Sequence, residues 1–307
     1  MAGATRGGGR GERGGGRPKL SVVLPCRNEA ATLPEQLDAL AGQSWNEPWE
    51  LVVSDNGSTD ASLEIVERYR DRLPALRVVD SSDKAGIAHA LNVGVTAARG
   101  PSIAFVNGDD VVADGWLAAM GAALETSELV AGRLEHDRLN PPWAIAVRGR
   151  LQADGLLEWG FGEHLPFAAG AALGVRKALH DAVGGFDEAM LPSAEDMDYC
   201  WRLQQHGATL RFVPDAVIHY RLRQNLGETF RQAFAYGEGH ALAYRKHRAL
   251  GLPRRRRPWL RGLRAWAGLL KRAVLVRSRA DLGLLVWHLG LRLGLVSGSL
   301  KHRVVFL

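Results

Sequence analysis

Cysteine is almost missing from this chain: Cys26 and Cys200 are the only two among 307 residues. That excludes a disulfide framework and any cysteine-based metal spacing, and it suits a reducing, cytoplasmic setting. Both are expected to be passive core residues. The first residues lack the apolar core of a signal peptide, so export is not expected. Acidic residues are absent from Arg245 to Arg279, a stretch with 13 Lys and Arg. The longest apolar stretch, residues 282–296, is interrupted by His288 and Arg292. It reads as a segment that lies in a membrane interface rather than one that crosses the bilayer.

What is present divides in two. The net charge is +6, yet residues 19–244 carry −12 once the basic N-terminal and C-terminal segments are set aside. An acidic body with a basic end suggests metal and substrate chemistry in the first and attachment to an anionic surface through the second. Residues 1–18 are Gly- and Arg-rich and read as a solvated tail. Residues 19–225 read as the catalytic domain and 226–307 as a helical, basic region.

Leu20-Ser-Val-Val-Leu-Pro25 reads as a first strand, and Thr32-Leu-Pro-Glu35 has capping-box spacing at the head of a helix. Short apolar strands at residues 50–54, 76–79 and 102–106 alternate with helices at 61–72 and 85–98. That rhythm predicts βαβ units and an α/β, mostly parallel sheet. Further strands are expected at 128–134, 167–175, 209–213 and 216–220. The Trp- and Gly-rich stretch 143–162 suits a substrate loop, with Trp159 and Trp201 read as packing. Ser193 is placed to cap a helix whose first turn holds Glu195, Asp196 and Asp198. Trp259, Leu263, Trp266, Leu270 and Val274 recur at helical spacing beside Arg261, Arg264, Lys271 and Arg272, a basic amphipathic helix.

The chemistry gathers where strands end. Ile103-Ala-Phe-Val106 stops at Asn107-Gly-Asp109-Asp110. Burying unpaired acids inside a strand is costly, so they belong at the carboxyl edge of the sheet, where ligands bind in open α/β folds. Grouped oxygen ligands suit Mg²⁺ or Mn²⁺, and with it a phosphate-bearing substrate.

Taken in order, these stretches resemble the family 2 glycosyltransferases with a GT-A fold. Pro25-Cys-Arg27-Asn28-Glu29 is similar to that family's Pro-x-x-Asn-Glu. Asp55-Asn56-Gly57-Ser58-Thr59-Asp60 is similar to its Asp-Asp-Gly-Ser-Thr-Asp turn. Asn107-Gly-Asp109-Asp110 falls at its Asp-x-Asp motif, Glu195-Asp196 at its Glu-Asp motif, and His219 where some members carry a metal-contacting His. The resemblance spans about residues 20–220. It implies an inverting transferase that moves a sugar from a nucleoside-diphosphate donor to an acceptor hydroxyl, with a divalent metal. It implies Asp196 as general base, and Glu195 and Asp198 as groups orienting it. Asp55 is expected to bond the nucleobase, and Pro25, Arg27, Glu29, Asn56, Lys84, Asn107 and Asp109 to line the donor pocket. Asp109 leads the metal ligands, with Asp110 and His219 as further candidates.

The residues also admit plainer roles. Asp55 and Asp60 fit helix capping, Glu195 and Asp198 fit the helix dipole, and His219 and Lys84 fit structural or solvated positions. Two departures from the motifs stand out: Asn107 and Asn56 each replace an acid, although members resembling rhamnosyltransferases carry Asn at the first. The expected acceptor is a polyprenyl-linked glycan or a glycolipid precursor at the cytoplasmic face of a membrane whose anionic lipid attracts the basic helices. One competing reading is a catalytically silent nucleotide-sugar-binding or scaffold protein docking through Arg254–Arg257. Another, a sugar nucleotidyltransferase, would need a Gly-rich phosphate loop where Cys26-Arg-Asn-Glu29 stands. Nucleic-acid binding is not expected, since the basic tract lacks interleaved aromatics.

Overall fold

The computed structural model describes residues 16–73, 75–161, 164–190, 193–253 and 258–306. The Gly/Arg-rich tail lies almost wholly outside these residues, and Arg254–Arg257 wholly so.

Four strands run parallel, each followed by a helix or turn: β1 (Leu20–Cys26), β2 (Trp49–Asp55), β3 (Arg77–Asp80) and β4 (Ser102–Phe105). Helices α1 (Leu33–Ala41), α2 (Ser62–Arg68) and α3 (Ile87–Ala97) connect them. The next elements are β5 (Val111–Val112), α4 (Trp116–Thr126), β6 (Leu129–Glu135), α5 (Pro142–Arg148), β7 (Leu173–Arg176), α6 (Lys177–Ala182), α7 (Glu195–Gln205) and β8 (Leu210–His219). The eight strands form one sheet in the order β3-β2-β1-β4-β7-β6-β8-β5. Only β7 and β5 run against the rest. Register aligns Cys26 with Asp55, Asp55 with Asp80, and Glu135 with His219. The carboxyl ends of six strands therefore share one edge, as the alternation of strands and helices predicted.

Each strand of the centre is apolar on both faces because helices cover both. Along β1, Val22 and Leu24 belong to the apolar cluster that holds Leu37, Leu40, Trp116 and Met120, while Val23 belongs to the one that holds Leu91, Val95 and residues of α7. A third apolar cluster joins Trp159, Met197 and Trp201 to Tyr244 and Phe306 near the C-terminus.

Three helices complete the chain: α8 (Leu226–Ala249), α9 (Pro258–Val274) and α10 (Arg279–Lys301). α8 and α10 lie side by side and parallel. Their backbones meet at Gly237, Gly290, Gly294 and Gly298; a Cβ on Gly290 would stand 2.7 Å from the Phe230 carbonyl oxygen. α10 is long and apolar enough, by length and composition, to cross a membrane, although a third of its apolar window is buried within the protein.

Local expectations fared unevenly. Neither Thr32 nor Ser193 caps a helix through its side chain. Glu35, the far end of the supposed capping box, pairs with Arg221 at 2.8 Å instead. The two strands expected over 209–220 are one strand, β8, with an irregularity opposite Gly132 and Arg133 that absorbs Pro214 and Asp215. Of the strand expected at 167–175 only its end is β7; Phe167 bridges Leu157, and residues 170–172 form a 3-10 turn. The stretch 143–161 is anchored by α5 and by the buried Trp159 rather than open throughout.

Candidate active site

The carboxyl edge holds two groups of acids with different surroundings. The first lies in the turns after β1 and β2. Asp55 accepts hydrogen bonds from the Gly57 and Ser58 amides, both at 3.2 Å. Asn56 donates to the Ser81 and Lys84 carbonyls and accepts from the Gly86 amide at 2.9 Å, so it clamps the loop after β3. Asn28, in the left-handed conformation at φ 56°, accepts from the Thr59 amide at 2.7 Å. Asp60 accepts from Ser62 and from the Ala30 amide. Lys84 reaches across to Glu188 at 2.6 Å, and Glu188 also meets His89 and Asn92. Pro25 is buried inside β1, and Arg27 is exposed at its end.

Beside this frame, Glu29, Asp109 and Asp110 converge. Glu29 packs against Gly108, so a side chain there would have to displace the Glu29 carboxylate. Burial, and then the charge of Asp109, push the Glu29 carboxyl up to about 8. The same two causes raise Asp110 well above the carboxylate range. Asp110 accepts from the Arg221 amide at 2.8 Å through Oδ1, while its Oδ2 and Oε2 of Glu29 are buried without a hydrogen-bond partner. Asp109 pairs with Arg223 at 3.0 Å. The Asn107 carbonyl is held by Gln36, and His219 turns to Glu135 at 2.6 Å.

The second group heads α7. Ala194 takes the left-handed conformation at φ 74°, an unusual one for a residue with a side chain. α8 holds it there, because Gly239 lets that helix press against the Ser193 carbonyl. This turn presents Glu195 and Asp196 to a cavity of about 410 Å³ that Asn107, Arg148, Arg223 and Tyr236 also line. Asp196 accepts from the Met197 amide at 2.7 Å and the Gly170 amide at 3.2 Å. Burial raises its pKa in spite of both amides. Burial, and then Asp196, push Glu195 up to about 8.

Asp198 is not in that cavity. It is fully buried behind it, paired with Arg202, Lys246 and His247 at 2.8, 2.7 and 2.9 Å. Burial alone would raise its pKa, but these partners bring it down to about 2.

The structure thus brings Asn107, Glu195 and Asp196 to one cavity, and links Asp109 to it through Arg223. Asp55, Asn56 and Lys84 stay on the neighbouring turns, and His219 and Asp198 face other partners. Sequence reasoning missed Arg148, Arg223 and Tyr236. For Arg223 the signal was available, since it closely follows the last strand at the ligand-bearing edge. For Arg148 and Tyr236 there was none: one ends a short helix and the other sits in a long one.

Among the described residues no group of three or more His, Cys, Asp or Glu is arranged to hold a metal ion. The orphaned oxygens of Asp110 and Glu29 are nonetheless the donor type that a hard divalent cation takes, so the acids fit such an ion by chemistry.

A fold of this kind is found in solved glycosyltransferases. A mannosyltransferase from Pyrobaculum calidifontis, solved with GDP-Man and Mn²⁺, superposes over 94% of this chain and 87% of its own, with TM-score 0.60 and 20% identity. TarS residues 1–349 from S. aureus, solved with UDP-GlcNAc, superposes over 93% and 92%, with TM-score 0.53 and 21% identity. The architecture is the GT-A fold. The sequence model of Glycosyl transferase family 2 matches residues 21–183, and that of Glycosyl transferase family group 2 matches 144–303. The chain belongs to glycosyl transferase family 2. It is 32% identical over 240 residues to the pre-mycofactocin glycosyltransferase of Mycobacterium tuberculosis, which covers 74% of this chain. The chain spans about half the length of that relative, 48%.

Proposed function

We propose that this protein is an inverting glycosyltransferase that moves a sugar from a nucleoside diphosphate to an acceptor hydroxyl. The observation that carries this reading is the shared cavity. It joins Asn107 and the Asp109-bound Arg223 to the Glu195–Asp196 pair. Membership in family 2, and relatives solved with GDP-Man and UDP-GlcNAc, support the same donor class.

Breaking the bond between sugar and diphosphate places negative charge on the leaving oxygen. Arg223, at the cavity wall, stabilises charge developing there. A divalent cation, when bound, would supply further charge stabilisation to the diphosphate; Asp109 and Asp110 would hold it, with Glu29 beside them. Asp196 takes the proton of the attacking hydroxyl, on the face opposite the leaving group. Burial raises its pKa, which makes it a stronger base than an exposed carboxylate. Glu195 shares its desolvated turn, and Asp198 secures α7 from behind. The turns of Asp55, Asn56 and Lys84 form the nucleobase end, with Pro25 and Arg27 along its wall.

A second reading, a binding protein that does not catalyse, draws on the pairing of Asp109 with Arg223, which gives that acid a countercharge without a metal. A thermal-shift panel of nucleoside diphosphates and sugar nucleotides, with and without Mn²⁺, identifies the donor. Asp196→Asn then separates the readings, since only the enzyme loses turnover while keeping donor binding.

The acceptor is proposed to lie at an anionic membrane surface, with the protein peripheral to its cytoplasmic face. On α9 the residues Leu263, Leu270 and Val274 share one face and are 61, 72 and 86% exposed. Arg264, Lys271 and Arg272 flank them. An outward apolar stripe with basic neighbours is the pattern of an interfacial helix. Co-sedimentation with anionic vesicles is expected, weakening with salt; its absence at low salt removes the membrane part and favours a soluble acceptor.

A further inference from the structure

The cavity wall contains a half-buried cation that pairs with no acid among the described residues. Arg148 ends α5, and its guanidinium lies over the Trp287 ring of α10, 3.6 Å from the ring centre, and 5.4 Å from that of Tyr236. Its Nε is sealed from solvent without a hydrogen-bond partner. Among the described residues, the ionisable groups that act on it are Tyr236 and Tyr220, and no acid is one of them. The histidines that feel its charge, His136 and His240, are held neutral by burial. Its neighbours differ. Arg133, Arg138, Arg150, Arg221 and Arg223 each face a carboxylate, Asp154, Glu35, Asp137, Glu35 and Asp109 respectively. Glu195 and Asp196 line the same cavity, yet neither pairs with Arg148 among the described residues.

A desolvated guanidinium without a carboxylate is unfavourable, and aromatic rings compensate it only in part. What it lacks is a planar pair of oxygen acceptors, which phosphates and carboxylates present. We infer that Arg148 is the binding site for an anionic oxygen group of a substrate, a phosphate or a carboxylate, inside the cavity that Asp196 lines. The inference rests on the transferase reading for which substrate brings the anion. It has two possible sources, the donor's diphosphate and an anionic group on the acceptor. Because Trp287 belongs to α10, the C-terminal helices build this subsite together with α5.

The test uses the full chain with Arg148→Met, which keeps the apolar stem against Trp287, and Arg148→Lys, which keeps the charge. Circular dichroism and the thermal midpoint without ligand report folding. The probes are inorganic phosphate, followed by thermal shift, and UDP and GDP, followed by calorimetry. A phosphate shift that persists under saturating nucleoside diphosphate and disappears in Arg148→Met supports an acceptor-side anion. A Kd for the nucleoside diphosphate raised tenfold or more in Arg148→Met, with Arg148→Lys between, supports the donor diphosphate. If folded Arg148→Met binds phosphate and both diphosphates as the wild type does, Arg148 is a packing residue and the inference is overturned. Should the wild type bind no nucleoside diphosphate at all, the transferase reading falls, while the phosphate arm still decides on Arg148.

Discussion

The acids after β2 and the acids heading α7 are the same chemical groups at the same edge of the sheet, yet they are put to different uses. Asp55 and Asp60, with Asn56 beside them, spend their oxygens on nearby backbone amides and so shape the turns that carry them. Glu195 and Asp196 face a cavity and are pushed toward the neutral form by burial, Asp196 in spite of the Met197 and Gly170 amides it accepts from. The comparison teaches that a motif acid can serve by building a binding surface or by facing a cavity out of reach of solvent. Acids tied into turns fix geometry, and desolvated acids that face a cavity are available for proton transfer.

The largest effect that sharpens this contrast is expected at Asp196. Asp196→Asn should lower turnover by about 10²- to 10⁴-fold, with the Kd for nucleoside diphosphate unchanged in calorimetry. Loss of donor binding alongside turnover would erase the distinction between the two sets of acids.

Next in size is Asp198, two residues away and fully satisfied. Asp198→Ala leaves Arg202 and the buried His247 without their acid, and Lys246 with Asp187 alone. Global stability in urea should fall by about 3–5 kcal/mol. The lowered pKa gives the pH dependence. The carboxyl titrates near 3.8 when unfolded and about 2 when folded, so its contribution is complete above pH 4 and is lost as pH falls toward 2. Asp198→Asn should flatten that acid limb; an unchanged limb would show that the buried pairs contribute nothing.

A smaller loss is expected at the seam between α8 and α10. Gly294→Ala drives a methyl group into the Phe234 carbonyl and should cost about 1–3 kcal/mol in the same unfolding assay. Because α8 presses on Ser193 and bears Tyr236, turnover should fall with it. Full activity in this variant would mean that the C-terminal helices do not help to hold the active site.

The smallest effect belongs to Lys84, whose pair with Glu188 is half exposed. Lys84→Met should change stability by no more than about 1 kcal/mol. A much larger loss would place Lys84 among the groups that shape the turns.

Much of the fold was legible. Runs such as Leu20-Ser-Val-Val-Leu and Ile103-Ala-Phe-Val are too apolar for anything but buried strands, and the helices between them show one apolar face. The acids at strand ends were legible for the complementary reason, that carboxylates are excluded from strand interiors. Capping was less so. Thr32 and Ser193 have suitable side chains, but tertiary contacts set the entry of each helix: Arg221 takes Glu35, and α8 presses Ala194 into its unusual conformation. His219 stands at the right edge, but its ring direction was settled by Glu135 across the strand pair.

The sequence by itself determined a doubly covered sheet, the edge where its acids gather, and a basic, amphipathic end. Those follow from periodicity and from the cost of burying charge, which act within short stretches of chain. Only the tertiary structure decided which acids face the cavity, that α8 lines it while packing on α10 through glycine contacts, and that Arg148 stands in its wall without an acid among the described residues. These depend on which side chains from distant segments meet, and no local pattern encodes such meetings.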